Sequence, residues 1–235
     1  MPYRLIAICS IFLLFSIDLS ASEVKWLQWL SDYQNIGGLE TDRDGYIYIG
    51  ADATVIKLTP DGSAPVFSTR LGDGWIWALA LGPDGSIYVT GSTDDPAFFT
   101  TPGALQNQFP TQSGLRLAFV ARLDSSGNVL YSTLLGGSKP CDGRAIAVDG
   151  QGNAVITGYG GSGLTQSPGA VSGPESGPFL VKLDPNGSTA LFTILGLGGA
   201  AVVLNADGEI YTAGTVYDAK TTFTPGAFQS GSVYR

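Results

Sequence analysis

Two kinds of glycine-centred turn alternate along this chain, and that fixed alternation restricts what it can fold into more than any other feature. The first kind is Pro83-Asp84-Gly85-Ser86-Ile87-Tyr88-Val89-Thr90-Gly91. It recurs as Gly150-Gln151-Gly152-Asn153-Ala154-Val155-Ile156-Thr157-Gly158 and Ala206-Asp207-Gly208-Glu209-Ile210-Tyr211-Thr212-Ala213-Gly214, with a shorter copy from Asp44 to Gly50. The second kind is Lys57-Leu58-Thr59-Pro60-Asp61-Gly62, Arg122-Leu123-Asp124-Ser125-Ser126-Gly127 and Lys182-Leu183-Asp184-Pro185-Asn186-Gly187. Its copies lead into Phe67-Ser68-Thr69, Tyr131-Ser132-Thr133 and Phe192-Thr193-Ile194. Glycine supplies the positive φ of a hairpin turn, and Asp, Asn or Ser beside it bonds the local backbone, so each turn joins two short antiparallel strands. One repeat is therefore two hairpins, or four strands.

The strands entering the first kind of turn are apolar on both faces, as in Trp77-Ala78-Leu79-Ala80-Leu81, Ala145-Ile146-Ala147-Val148 and Ala201-Val202-Val203-Leu204. A sheet covered on both faces suits radial stacking of like sheets, whereas an immunoglobulin-like sandwich would show polar residues on one strand face. Glycine is abundant at 33 residues and charged residues are sparse at 14%, but hydrophobic residues make up 44%, which favours a packed β core over disorder. The predicted fold is all-β: a β-propeller of four-stranded antiparallel blades, with about three and a half blades present. The blades are placed at about 38–74, 75–143 and 144–199, with an incomplete fourth at 200–235.

The pattern resembles the bacterial seven-bladed β-propeller repeat (SBBP) family. The resemblance rests on the D-G-x-I-Y-V-T-G strand pair, best in Asp84 to Gly91, and on a T-P-G-A insert. The insert occurs as Thr101-Pro102-Gly103-Ala104, Ser167-Pro168-Gly169-Ala170 and Thr224-Pro225-Gly226-Ala227. The likeness runs from about Gly38 to the C-terminus, and the first copy departs from it, having only Ala51 to Thr54 between Gly50 and Val55. A closed propeller of this kind commonly completes its last blade with an N-terminal strand. The resemblance therefore implies that role for 23–37, which holds Val24-Lys25-Trp26-Leu27-Gln28-Trp29-Leu30. The fourth repeat stops after its T-P-G-A insert. The expectation is a fragment of a longer chain, or strands supplied by another subunit, with self-association through open blade edges.

Arg4 followed by the apolar run Leu5 to Ile17 and then Ser20-Ala21-Ser22 reads as a signal peptide over 1–22, implying a secreted or extracytoplasmic protein, in the periplasm or at the cell surface. The apolar run is too short for a membrane-spanning helix, and no later stretch approaches one. Cys9 falls within this leader, so no intrachain disulfide holds the mature fold. The net charge of −8 argues against nucleic acid, whose phosphates need clustered Lys and Arg.

Histidine is absent, which removes Ser-His-Asp triads, Cys-His pairs and the usual zinc sites in one step. No catalytic residue, metal ligand or cofactor is expected. Asp42-x-Asp44-Gly45 resembles the start of a calcium loop, but position 51, where the bidentate Glu belongs, is Ala. Gly160-Gly161-Ser162-Gly163 lacks the Lys of a phosphate loop. Strand-two to strand-three loops and blade-to-blade connections emerge on one face of a propeller, and the Asp-Gly turns on the other. The variable inserts Ser92 to Leu117 and Tyr159 to Pro178 therefore share a face. The candidate ligand-binding residues on it are Trp75, Asp94, Asp95 and Tyr159, while Trp77, alternating with Leu79, is assigned to the core. The expected function is a non-catalytic scaffold that binds a protein or glycan. The alternatives are a carboxylate-dependent propeller lyase or glycan hydrolase, and a structural spacer in a longer surface protein.

Overall fold

The glycine of each turn adopts the conformation its role requires. In the first kind of turn φ is 84° at Gly45, 78° at Gly85, 81° at Gly152 and 80° at Gly208; in the second it is 66° at Gly62, 89° at Gly127 and 66° at Gly187. The residue three before the glycine ties the turn together. Asp149 Oδ1 accepts the N–H groups of Gln151 and Asn153, both at 2.9 Å, and Asp42 and Asn205 do the same in their turns. In the second repeat that place is Gly82, and Asp84 takes over by accepting the Ser86 N–H at 3.0 Å. A side chain at Gly85 would meet nothing within 4 Å, so its substitution tests backbone conformation alone. Gly85→Val is expected to cost about 1–3 kcal/mol, read from the urea midpoint.

The computed structural model describes residues 33–110, 114–161, 163–164, 170 and 176–214, together with the strands at 13–18 and 23–29. In chain order the strands are β1 (Leu13–Asp18), β2 (Glu23–Trp29), β3 (Ile36–Thr41), β4 (Ile47–Ala51), β5 (Thr54–Leu58), β6 (Pro65–Arg70), β7 (Trp75–Leu81) and β8 (Ile87–Thr93). They continue with β9 (Leu117–Leu123), β10 (Val129–Leu135), β11 (Asp142–Val148), β12 (Ala154–Gly161), β13 (Ser176–Leu183), β14 (Ala190–Leu195), β15 (Ala201–Leu204) and β16 (Ile210–Ala213). β3 to β6, β7 to β10 and β11 to β14 form three four-stranded antiparallel meanders, and β15 pairs with β16. The first strands of successive sheets meet, β3 with β7, β7 with β11 and β11 with β15, which is the arrangement of blades around a common axis. The array is open among the described residues. β2 pairs with β1, which falls within the expected leader; the rest of 1–22, and 215–235 with its T-P-G-A insert, lie outside the described residues.

Each blade contributes its two faces to two different cores. Leu117, Phe119, Ala121 and Leu123 of β9 pack toward blade 1, in one core with Tyr48, Val55 and Leu71, whereas Ala118 and Val120 pack toward blade 3, in one core with Ile146, Ile156 and Phe179. This is why the strands carry no polar face. The basic residue of the second motif locks the two turns of a blade together: Arg122 lies 2.6 Å from Asp84, and Lys182 lies 2.8 Å from Asp149. Burial pushes the Asp149 carboxyl up, but Lys182, Asn153 and the Gln151 N–H outweigh it and hold the group down at about 2. A carboxyl depressed on folding adds stability that is present above its unfolded value, 3.8, and is lost as pH falls toward the folded one. Urea midpoints should therefore drop between about pH 4 and about pH 2, and Lys182→Met should flatten that slope.

The last glycine of the first motif is needed for space. Each of the first three innermost strands carries a bulge, between Ile36 and Gly38, Ile76 and Ala78, and Gly143 and Ala145, and opposite it stand Gly50, Gly91 and Gly158. A Cβ at Gly91 would fall on the carbonyl oxygen of Trp75, and one at Gly158 on that of Asp142. The threonine before this glycine joins blades. The buried Thr157 hydroxyl donates to the Phe179 carbonyl at 2.7 Å and accepts the Gly199 N–H at the head of blade 4.

Candidate functional site

The long connection from β8 to β9 does not stand away from the disc. Phe98 turns inward onto Phe119, with ring centroids 4.6 Å apart, and the segment then runs along the outer edge of β10. Thr101 exchanges bonds with Ser132, its N–H donating to the Ser132 carbonyl at 3.0 Å and its hydroxyl accepting the Ser132 N–H at 3.1 Å. Ser132 Oγ donates to the Phe99 carbonyl at 2.7 Å, and the Leu134 N–H donates to the Gln106 carbonyl at 2.9 Å. Leu105 N–H reaches the Gly187 carbonyl, in the β13–β14 turn of the next blade, at 2.9 Å. The T-P-G-A insert of blade 2 thus covers a sheet edge, with Gly103 at φ 81° making its turn.

A cleft lies on this side between blades 1 and 2. Its volume is about 270 Å³, and Gln34, Asp52, Arg70, Asp73, Trp75 and Asp94 line it. Trp75 starts β7, and Asp94 follows β8, two residues beyond the Ser92 that pairs with Trp75, so the register of one hairpin places them side by side. Among the described residues neither the Trp75 indole N–H nor the Asp94 carboxylate has a hydrogen-bond or ion-pair partner. The other groups are occupied. Asp52, at φ 47°, accepts the N–H groups of Gln34 and Asn35, and Arg70 pairs with Asp73. Three carboxylates against one guanidinium leave the cleft negative.

The structure brings Trp75 and Asp94 together and leaves the other two candidates out. Asp95 Oδ1 accepts the Ala97 N–H at 2.9 Å, and the Asp95 N–H donates to Thr93 Oγ1 at 3.1 Å, so this residue holds the loop. Tyr159 lies in blade 3, paired with Asp142, its hydroxyl 2.8 Å from where a Cβ on Gly199 would stand. Sequence reasoning missed Gln34, Asp52, Arg70 and Asp73, which arrive from other strands and turns; Gly72-Asp73-Gly74 was the one local signal.

Trp77 corrects its assignment to the core. It is half-buried beside the bulge of β7, its indole N–H donates to Ser92 Oγ at 2.9 Å, and the Arg144 guanidinium lies 4.9 Å from its ring centre. Arg144 and Arg116 both pair with the buried Asp142, Arg116 Nε at 2.8 Å but off hydrogen-bonding alignment. The bulge turns Trp77 out of strict alternation, so its period-2 assignment fails.

Two larger hollows lie on the turn side, about 690 Å³ between Leu81-Gly82-Pro83, Val148 to Gln151 and Leu204 to Gly208, and about 610 Å³ beside Asp42 and Tyr48. In the first Asp149 is held by Lys182, and in the second Asp42 accepts the Tyr48 hydroxyl at 2.9 Å, while Asp207 and Asp44 stand on the rims of the two hollows. Among the described residues no group of His, Cys, Asp and Glu is arranged to hold a metal.

The blade topology defines the class: an all-β, propeller-type array of four-stranded antiparallel sheets. No family model and no curated protein matches the chain. Solved structures do. A protein of unknown function from Bacteroides caccae aligns with TM-score 0.54 at 15% identity, over 83% of this chain and 58% of that one. Hydrazine synthase of Kuenenia stuttgartiensis aligns with TM-score 0.54 at 13% identity, over 84% and 48%. The β-propeller domain of Cps50 (Swd1) from Myceliophteria thermophila aligns with TM-score 0.49 at 7% identity, over 81% and 55%. At these identities the likeness is one of fold. This chain spans about half the length of the solved structures it matches.

Proposed function

We propose that this chain is a secreted, non-catalytic propeller scaffold of the bacterial seven-bladed repeat type, and that it binds a neutral glycan in the cleft between blades 1 and 2. The observation that supports this reading is the pairing of Trp75 with Asp94, an aromatic ring beside a carboxylate, neither polar group having a partner among the described residues. A sugar presents an apolar ring face and a rim of hydroxyl donors. An indole stacks on the first, and a carboxylate accepts from the second. The test is a screen of the chain against a panel of neutral oligosaccharides, followed by calorimetry on the best ligand. Trp75→Ala and Asp94→Ala are each expected to weaken it at least tenfold, about 1.4 kcal/mol, with the melting temperature unchanged. Binding that survives both substitutions, or a screen that finds only basic peptides, would overturn the glycan reading.

A further inference from the structure

The basic residue that opens the second motif is tied to a carboxylate in blades 2 and 3 but not in blade 1. Arg122 pairs with Asp84 and Lys182 with Asp149. Lys57 holds the same place, opposite Tyr48 as Arg122 stands opposite Tyr88, yet among the described residues no carboxylate lies within ion-pair distance of it. Its ammonium instead lies 4.4 Å from the ring centre of Tyr46 and 4.9 Å from that of Tyr48. The cause is in the turn. Asp42, the counterpart of Asp149, accepts the N–H groups of Asp44 and Tyr46 and the Tyr48 hydroxyl. Burial first, then the bond to Asp42, raise the Tyr48 hydroxyl above its ordinary value, which keeps it a donor. In blade 3 the residue matching Tyr48 is Val155, which has no hydroxyl, and the lysine takes the carboxylate. Tyr46 likewise stands where blades 2 and 3 carry Ser86 and Asn153, so an aromatic ring replaces a short polar side chain.

Lys57 and Tyr46 line the hollow of about 610 Å³ on the turn side, together with Arg43, Asp44, Pro83 and Ser125. Its walls are blades 1 and 2, both complete four-stranded sheets. Among the described residues the Arg43 guanidinium and the Asp44 carboxylate have no ion-pair partner either. The two cations suit a carboxylate, Tyr46 and Pro83 offer apolar surface, and Asp44 and Ser125 can accept hydroxyl donors. A uronic acid residue brings all three complements: one carboxylate, an apolar ring face and a rim of hydroxyls. A run of acidic side chains has no donor for Asp44 and is repelled by it. We propose that this hollow binds a uronate residue of an acidic oligosaccharide, its carboxylate on Lys57 and Arg43 and its ring against Tyr46. The site shares no residue with the cleft of Trp75 and Asp94 and does not depend on it.

The test is calorimetry of the chain with trigalacturonate as the probe, its methyl ester as the uncharged control and penta-aspartate as the peptide control. The acid is expected to bind, less tightly as salt rises, and about tenfold or more tighter than either control. Lys57→Met keeps the aliphatic stem and Tyr46→Ser places there the residue of blade 2; each should weaken the acid about tenfold at an unchanged melting temperature. Arg43→Gln, exposed and outside the core, should weaken it also, and it decides the matter if either of the other variants is unstable. Trp75→Ala should leave it unchanged, which separates this site from the cleft. No binding of the acid, an ester or peptide that binds as tightly, affinity indifferent to the variants of Lys57, Tyr46 and Arg43, or binding lost with Trp75→Ala would each overturn the site.

Discussion

Gly158→Ala should destabilise the protein by about 3 kcal/mol or more, the upper end of overpacking costs. Ordinary substitutions of glycine in a strand exchange flexibility for β propensity and cost little. Here the added methyl has no room, because it would fall on the Asp142 carbonyl oxygen, with the Phe179 ring 2.9 Å away on the other side. Backbone cannot give as a side-chain tip does, so relief requires reshaping the β11 bulge, which also carries the two arginines on Asp142. Chemical denaturation of the wild type and variant measures the loss. A change below about 1 kcal/mol would mean that the bulge is pliable, and the close approach would then not explain why the motif ends in glycine.

Phe119→Ala should cost about 3–5 kcal/mol, the range for an emptied aromatic site in a packed core. Phe119 is fully buried between blades 1 and 2 and supports Phe98, the residue by which the long insert is anchored. A second effect distinguishes this from simple loss of packing. With its anchor gone, the segment from Asp94 to Gln106 should become sensitive to protease under native conditions before the blades unfold. Cleavage first at blade 3 would show that the insert is held by its edge hydrogen bonds alone.

The turns show how far local chemistry reaches. Positive φ at Gly85 or Gly187, the capping by Asp149, and the strand lengths between them follow from neighbours within five residues, so they are legible in the chain. The alternation of the two motifs carried the four-stranded blade with it, because a hairpin is itself a local object. The insert was different. Read as a displayed loop, it proved to be an edge cover, because Thr101 is bonded by Ser132, which is 31 residues away. Trp77 was misplaced for a similar reason: it sits at a bulge in the pairing of β7 with β8, and strict alternation does not record it.

The residues of this chain determined by themselves where it turns, which runs are strands, how strands group into blades and that both blade faces must be buried. Those outcomes depend on backbone conformation and short-range bonding. Only the tertiary structure decided which loops lie down and which leave space. Asp94 shares a cleft with Arg70 and Asp52 because blades 1 and 2 pack side by side, and Ser68 stays uncovered because the β4–β5 turn of its own blade is short. Contacts of that kind depend on distances between elements far apart in the chain, which are set when the sheets stack and not by the composition of either segment.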